Sequence, residues 1–373
     1  MIVGILKEQA PENRVSLLPE AITSLASLKT GVLVQSGAGK NAFADDLQYS
    51  EAGAKIVSEN EIFEKSDMIL KVNVPNESEI AKLKPGQVLT GTLNPLMNKK
   101  LVSKLKDTGI TTFSLDAVPR ITRAQAMDVL SSMATVAGYR AVLEAAFNLP
   151  TFFPMFMSAA GTIKPAKVLI LGAGVAGLQA IATARKLGAV VEAFDVRASV
   201  KEEVQSLGAS FVEVEGAVDD ASAGGYAVEQ TEEFKKKQGE LIQQHALKSD
   251  IVICTAQIPG RKAPVLIKKE TVENMKPGSV IVDMAASTGG NCQLTENDKT
   301  IIHNDVKIIG NSEYPSGMPV DASRMYGKNL INFIKLIIDE EGNLNLNFED
   351  EIVKGACITH NKEIVNERVK SMF

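Results

Sequence analysis

Gly172, Gly174 and Gly177 stand as G-x-G-x-x-G directly behind the apolar run "KVLIL". Each glycine has a separate task in such a turn. The first permits the tight bend, the second lets the backbone approach a pyrophosphate, and the third lets the next helix pack closely on its strand. The helix start, through Val175 and Ala176, then offers free N–H groups and partial positive charge to phosphate oxygens. A bare glycine pattern also occurs as a merely structural turn. This one gains weight from its strand–turn–helix setting and from Asp195, which closes the next apolar run. Asp195 lies about 20 residues on, where a carboxylate accepts from adenosine ribose hydroxyls. It would repel a 2′-phosphate and so points to NAD over NADP. Beyond Val196, Arg197 can offset that repulsion, or is a solvated or salt-bridged surface residue.

A second group of chemistry-bearing side chains lies in "PRITRAQAMDVLSS", where Arg120, Arg123, Gln125, Asp128 and Ser131 gather at the start of a long apolar periodicity. Apolar spacing predicts a helix from about Thr122 to Asn148. On periodicity alone the cluster reads as capping and salt bridges on a solvated helix start.

The elements that must position these groups alternate along the chain. "MIVGIL", "VLVQSG", "MILKVNV", "QVLTGTL" and "TTFSLDA" read as strands; "PEAITSLASL" and "NKKLVSKLKDTG" read as helices, the latter ending at Gly109. Pro150 and Pro154 break the long helix, and "MFMSAAG" reads as a short second helix. Further strands are expected at "SDIVICTA", "GSVIVDMA" and "VKIIGN". The pattern predicts an α/β protein of two Rossmann-like, doubly wound parallel-sheet domains with an interdomain cleft. The apolar helix "DASRMYGKNLINFIKLIIDE" is expected to return to the first domain. That places residues 1–135 with about 322–373 in one domain and about 136–321 in the other.

Composition narrows the function. The chain has 373 residues, 45% of them apolar and 23% charged, with a net charge of −5. That balance is globular and carries no basic footprint for nucleic acid. Three scattered cysteines, Cys254, Cys292 and Cys357, form no CxxC pair and suit a reducing cytosol. Three histidines leave little for a histidine-based metal site, and none is expected. The N-terminus meets Lys7 and Glu8 too early for a signal peptide. No window holds roughly 18 uninterrupted apolar residues, as a bilayer span would need.

The segments "KEQAPENRVSLLPE", "PRITRAQAMDVLSSMATVAGYRAV", "GAGVAGLQAIATARKLGAVVEAFDVR", "GGYAVE", "KPGSVIVDMAASTGGNC" and "KNLINF" together carry a resemblance. The chain resembles the NAD(H)-binding domain I of proton-translocating nicotinamide nucleotide transhydrogenases and, more distantly, the alanine dehydrogenases. The resemblance implies NAD(H) on this chain and direct hydride transfer to NADP(H) held on a partner, domain III. It also implies a membrane domain II on another polypeptide, a homodimer, and a cytoplasmic location docked on the inner membrane through those subunits. It implies that Arg120, Gln125 and Asp128 grip the dihydronicotinamide, with Ser131 a further carboxamide partner. It makes residues 219–238 a lid with Tyr226 at its tip, and it matches Gly225, Gln238 and Gln257 to nucleotide contacts. Gln257 is not the apolar residue expected there.

Alanine dehydrogenases use an arginine and a lysine on the substrate, and a histidine and an aspartate for proton transfer. Arg14 and Lys71 match the first pair. No histidine stands near "GTLNPL", and Ser287 replaces the aspartate. Amino-acid oxidation is thereby disfavoured, and Arg14 and Lys71 read as charges that brace the first domain. Hydride transfer between two nicotinamides needs binding, orientation and exclusion of water, with no proton carrier. The competing readings are an amino-acid dehydrogenase and a non-catalytic NAD(H)-sensing module.

Overall fold

The computed structural model describes residues 1–214, 231–258 and 260–373. The chain divides into two units, Met1–Met133 with Pro315–Phe373, and Ala134–Tyr314.

In the first unit, apolar runs too short for helices become strands β1 (Ile2–Ile5), β2 (Gly31–Gln35), β3 (Lys55–Val57), β4 (Met68–Leu70), β5 (Val88–Gly91) and β6 (Thr111–Ser114). All pair in parallel, in the order β6-β5-β4-β1-β2-β3. Successive side chains point to opposite faces. Val3, Ile5, Val34, Met68 and Phe113 enter one buried cluster, while Leu33, Ile69 and Leu89 enter the other. Covering both faces is what a parallel sheet requires. Each fully buried aliphatic side chain contributes roughly 1.5–3 kcal/mol over an exposed one. The helix Lys99–Thr108 ends at Gly109, whose φ of 77° is the left-handed cap expected of it.

The end of the chain completes this sheet. The helix Pro319–Ile334 packs on the first cluster, and β16 (Cys357–His360) pairs antiparallel with β6 and with β17 (Glu363–Ile364). No strand was expected at 357–364. Asn361 and Lys362 both take positive φ and close a two-residue hairpin between β16 and β17.

The second unit holds a two-stranded hairpin, β7 (Phe156–Ser158) and β8 (Gly161–Ile163), and a sheet ordered β11-β10-β9-β12-β13-β15-β14. Its strands are β9 (Lys167–Leu171), β10 (Val190–Phe194), β11 (Ser210–Phe211), β12 (Ile251–Cys254), β13 (Val280–Asp283), β14 (Lys299–His303) and β15 (Val306–Gly310). Only β14 runs antiparallel among the described strands of this sheet. Val168 and Ile170 of β9 face one core, and Leu169 and Leu171 the other. The sheet order reverses at β9, with β10 on one side and β12 on the other. Such a switch point is where open α/β sheets take ligands. Among the described residues, no helix is long and apolar enough to cross a membrane.

Two expected helices differ. "MFMSAAG" forms the β7–β8 hairpin instead of a helix. Gly161 adopts a φ of 112°, and Thr162 and Ile163 pair with Met157 and Phe156. Local helix propensity in Met and Ala loses to a positive-φ glycine followed by β-branched residues. The helix expected from Thr122 is split into a 3-10 turn, Thr122–Met127, and a helix, Val129–Asn148. Asp128 leaves helical geometry at φ −76° and ψ 89°. Its side chain accepts from the Ser131 N–H at 2.8 Å and from the Ser131 hydroxyl at 2.6 Å. A carboxylate so placed caps a new helix start.

Candidate dinucleotide site

The glycine turn joins β9 to the helix Val175–Lys186. A Cβ on Gly172, which has φ +103°, would meet the Thr255 hydroxyl at 2.6 Å, and one on Gly177 would meet the Gly172 carbonyl oxygen at 1.9 Å. Those two glycines are demanded by close packing within the turn. Gly174 differs. A Cβ there would meet nothing within 4 Å, and its extended backbone suits any residue. The space beside it is an open cradle next to the N–H groups at the helix start. A phosphate group fits it, and a side chain would fill it.

Asp195, at the end of β10, reaches into this turn. One carboxylate oxygen accepts from the Ala173 N–H at 2.7 Å and from Arg197 Nη2 at 2.9 Å. The other accepts from the Arg197 N–H and Nε, both at 2.9 Å. The ordinary acceptor positions of the carboxylate are thus in use, and Arg197 is its ion-pair partner. A ribose hydroxyl donating to Asp195 would take the place of a guanidinium N–H. Val196 is half-buried between them, and Val175 is exposed at the mouth of the turn.

Sequence reasoning missed the residues that shape the far side of the turn. The Thr255 hydroxyl donates to the Gly172 carbonyl at 2.9 Å. Asn291, fully buried, exchanges hydrogen bonds with the Ala256 backbone and donates to the Pro264 carbonyl. Asp283 accepts from the Ala285, Asn291 and Cys292 N–H groups and from the Thr295 hydroxyl. Gln257 is exposed and donates to the Met284 carbonyl at 3.1 Å, tying together the loops that follow β12 and β13. The signal for this group was the acidic end of "VIVD" followed by "GGNC". Gly138 was also missed. A Cβ there would meet the Ala176 carbonyl oxygen at 2.1 Å, so the helix Val129–Asn148 lies against the first turn of the phosphate helix. Gln238 is half-buried on the helix Glu232–Ala246. Gly225 and Tyr226 lie outside the described residues.

In the first unit, Arg120 and Gln125 are exposed, while Asp128 and Ser131 are bonded to one another. Arg123 makes a two-pronged pair with Asp350 at 2.7 Å on each arm. Arg14 and Lys71 are buried and bound to the chain's own carboxylates. Arg14 holds Glu12 at 2.6 and 2.8 Å, and Lys71, 1% exposed, holds Glu79 at 2.7 and 2.9 Å with Glu8 at 3.9 Å. Burial works against the Glu12 charge, but the hydrogen bond and charge of Arg14 hold its carboxyl below the usual range. Glu8 goes the other way: burial outweighs Lys71 and pushes its pKa to about 7. Ser287 is exposed, on a short turn tied through its N–H to Ser312. Among the described residues, no group of three His, Cys, Asp or Glu side chains is placed to hold a metal ion.

A glycine turn at the switch point of a parallel sheet, with a carboxylate at the end of the next strand, defines a Rossmann-type α/β protein. Residues 4–137 match the family described as "Alanine dehydrogenase/PNT, N-terminal domain", and residues 141–367 match "Alanine dehydrogenase/PNT, C-terminal domain". The chain is 47% identical to NAD(P) transhydrogenase subunit alpha of Haemophilus influenzae, over 97% of this chain and 71% of that one. It is 46% identical to an NAD(P) transhydrogenase subunit alpha chain of Rhodospirillum rubrum, over 98% of each. The crystal structure of transhydrogenase from Sinorhizobium meliloti matches with a TM-score of 0.87 at 40% identity, covering 99% of this chain and 100% of that one. An L-alanine dehydrogenase structure shares the fold with a TM-score of 0.82 at 24% identity, covering 100% of this chain and 99% of that one. The chain belongs to the alanine dehydrogenase/PNT family. Within it the chain stands with the transhydrogenase alpha subunits, as an oxidoreductase component, with alanine dehydrogenases more distant.

Proposed function

We propose that this chain is the NAD(H)-binding component of a proton-translocating transhydrogenase. NADH bound here passes its hydride directly to NADP⁺ held on a separate NADP-binding domain III, and a membrane domain II on another polypeptide couples the transfer to proton movement. The observation that carries the reading is the open cradle at Gly174, between Asp195 and the free N–H groups of the helix start. The nicotinamide supplies the hydride chemistry when bound. The helix start would hold the pyrophosphate, and Asp195, released from some of its Arg197 pairing, would accept from the ribose. Gly225, Gln238, Gln257 and the lid residue Tyr226 belong to the same nucleotide site in this reading. Arg120, Gln125, Asp128 and Ser131 would orient the ring, a task for amide, hydroxyl and charged groups against a carboxamide. No proton changes hands in the transfer. NADH becomes NAD⁺ and NADP⁺ becomes NADPH as one hydride moves between ring carbons.

The pairing of Arg14 with Glu12, and of Lys71 with Glu79, argues against a free-standing amino-acid dehydrogenase, because both cations already have partners. A homodimer is supported by an apolar surface on and beside the β7–β8 hairpin. Phe147 is 90% exposed and Met157 76%, with Phe152, Met155 and Phe156 also exposed. Patches of this kind mark interaction sites. A cytoplasmic location with docking on the inner membrane follows from the partner subunits in this reading.

Isotope transfer tests the proposal. NADH deuterated at the transferring position is mixed with this chain, the domain III partner and NADP⁺. The expected result is label in NADPH. Label lost to water, or robust oxidation of alanine with NAD⁺ and no partner, would replace this reading with another.

A further inference from the structure

The segment "KNLINF" helps to carry the family resemblance but holds no residue of the dinucleotide site. It lies in the helix Pro319–Ile334. Asn329 and Asn332 are three residues apart and so share a helix face. Both side-chain amides donate to a single acceptor, the Ala126 carbonyl, at 2.8 and 3.1 Å. Both lone pairs of that oxygen are thereby used. Ala126 is the neighbour of Gln125 in the 3-10 turn Thr122–Met127.

The rest of this turn is fastened as well. Ala124 and Met127 are buried in the first unit's core. Arg123 is pinned to Asp350, and Asp128 is occupied by Ser131. Gln125 is the exposed residue beside the clamped carbonyl. A short 3-10 turn has weak internal hydrogen bonds, so its shape is imposed from outside. Asn329 is 7% exposed, and its Oδ1 is buried without a hydrogen-bond partner. A position kept only for stability is better served by an apolar side chain than by an amide left half satisfied.

We infer that Asn329 and Asn332 are positioning residues that set the Ala126 carbonyl, and with it hold Gln125 in place for the nicotinamide. The inference rests on the reading that Gln125 contacts that ring. Preorganising a contact lowers the ordering cost on binding, and losing the two donors loosens the turn while leaving the glycine turn of the other unit intact.

The test uses the full chain and two ligands, NADH and ADP-ribose, the second lacking the nicotinamide ring. N329L, N332L and the double variant are compared with wild type. The double variant is expected to bind NADH about tenfold more weakly, with ADP-ribose within about twofold. The fluorescence anisotropy of the bound dihydronicotinamide falls in parallel. In a Q125A background the further loss shrinks to about twofold or less, because the clamp acts through Gln125. Asn332 is half-buried, so N332L alone, with about a threefold loss for NADH, carries the test if N329L does not fold. Unchanged NADH binding in the folded variants overturns the inference, as does equal loss for both ligands or a full loss that persists with Q125A. If Q125A itself leaves the gap between NADH and ADP-ribose unaltered, the reading of the loop fails and this inference with it. If Q125A closes the gap and the asparagine variants are silent, only the clamp fails.

Discussion

Glu8 shows how far burial moves a single residue. Its carboxyl accepts from the Val72 N–H at 2.6 Å and lies 3.9 Å from Lys71, yet desolvation dominates and its pKa rises from 4.5 to about 7. Between those values the folded chain keeps a proton that the unfolded chain has lost. Stability is therefore full below about 4.5 and is lost as pH rises through 7, by ~3 kcal/mol in all. Glu8→Gln removes that titration while keeping an acceptor for Val72. The variant should melt above wild type at pH 8, with the gap narrowing steadily toward pH 5. Thermal unfolding across that range is the check, and a gap independent of pH would show that Glu8 does not titrate there. Arg14 and Lys71 are read at the same scale. Charge and sequence position make them possible substrate ligands, but their partners are the buried Glu12 and Glu79. They brace the first unit.

Among elements, the helix Val129–Asn148 and the phosphate helix Val175–Lys186 give the sharpest case. Intrinsic propensity says that alanine at Gly138 would stabilise a helix interior by about 1 kcal/mol. Packing says the opposite. The added Cβ would meet the Ala176 carbonyl oxygen at 2.1 Å and its carbon at 2.9 Å, and this is backbone that no rotamer change can move aside. Overpacking of that kind costs about 1–3 kcal/mol or more, so the net effect of Gly138→Ala is destabilising. Because Ala176 sits in the first turn of the phosphate helix, NADH and ADP-ribose should both bind less well, to a similar degree. Thermal melts and titration with both ligands decide it, and a variant more stable than wild type would contradict the contact. This response differs in kind from that of the asparagine clamp, which should separate the two ligands.

For the molecule as a whole, the apolar hairpin region is the feature that a single chain leaves unexplained. Phe152 and Phe156 lie 4.5 Å apart, ring centre to ring centre, yet both remain exposed with Phe147 and Met157 nearby. A second copy covering this surface accounts for their retention. Phe156→Ser with Met157→Ser should shift the sedimenting species from dimer to monomer at micromolar concentration. Binding of ADP-ribose should stay within about twofold, since neither residue belongs to the glycine turn. A dimer unaffected by both substitutions would place the interface elsewhere.

Much of this protein could be read from near neighbours along the chain. The parallel-sheet class, the glycine turn, the helix stop at Gly109 and the family all rest on signals contained within windows of a few residues. Periodicity, glycine spacing and cap chemistry act over one or two turns, so they survive without knowledge of the rest. The tertiary structure decided what depends on distant partners. It broke the helix at Asp128, made "MFMSAAG" a hairpin, closed Arg197 onto Asp195, and brought Asn329 and Asn332 to Ala126 across more than 200 residues of chain. It alone gave Gly138 a reason, because a glycine needed for close approach looks the same in sequence as one that merely weakens a helix. Contacts of that range depend on how whole elements stack, and no local pattern records them.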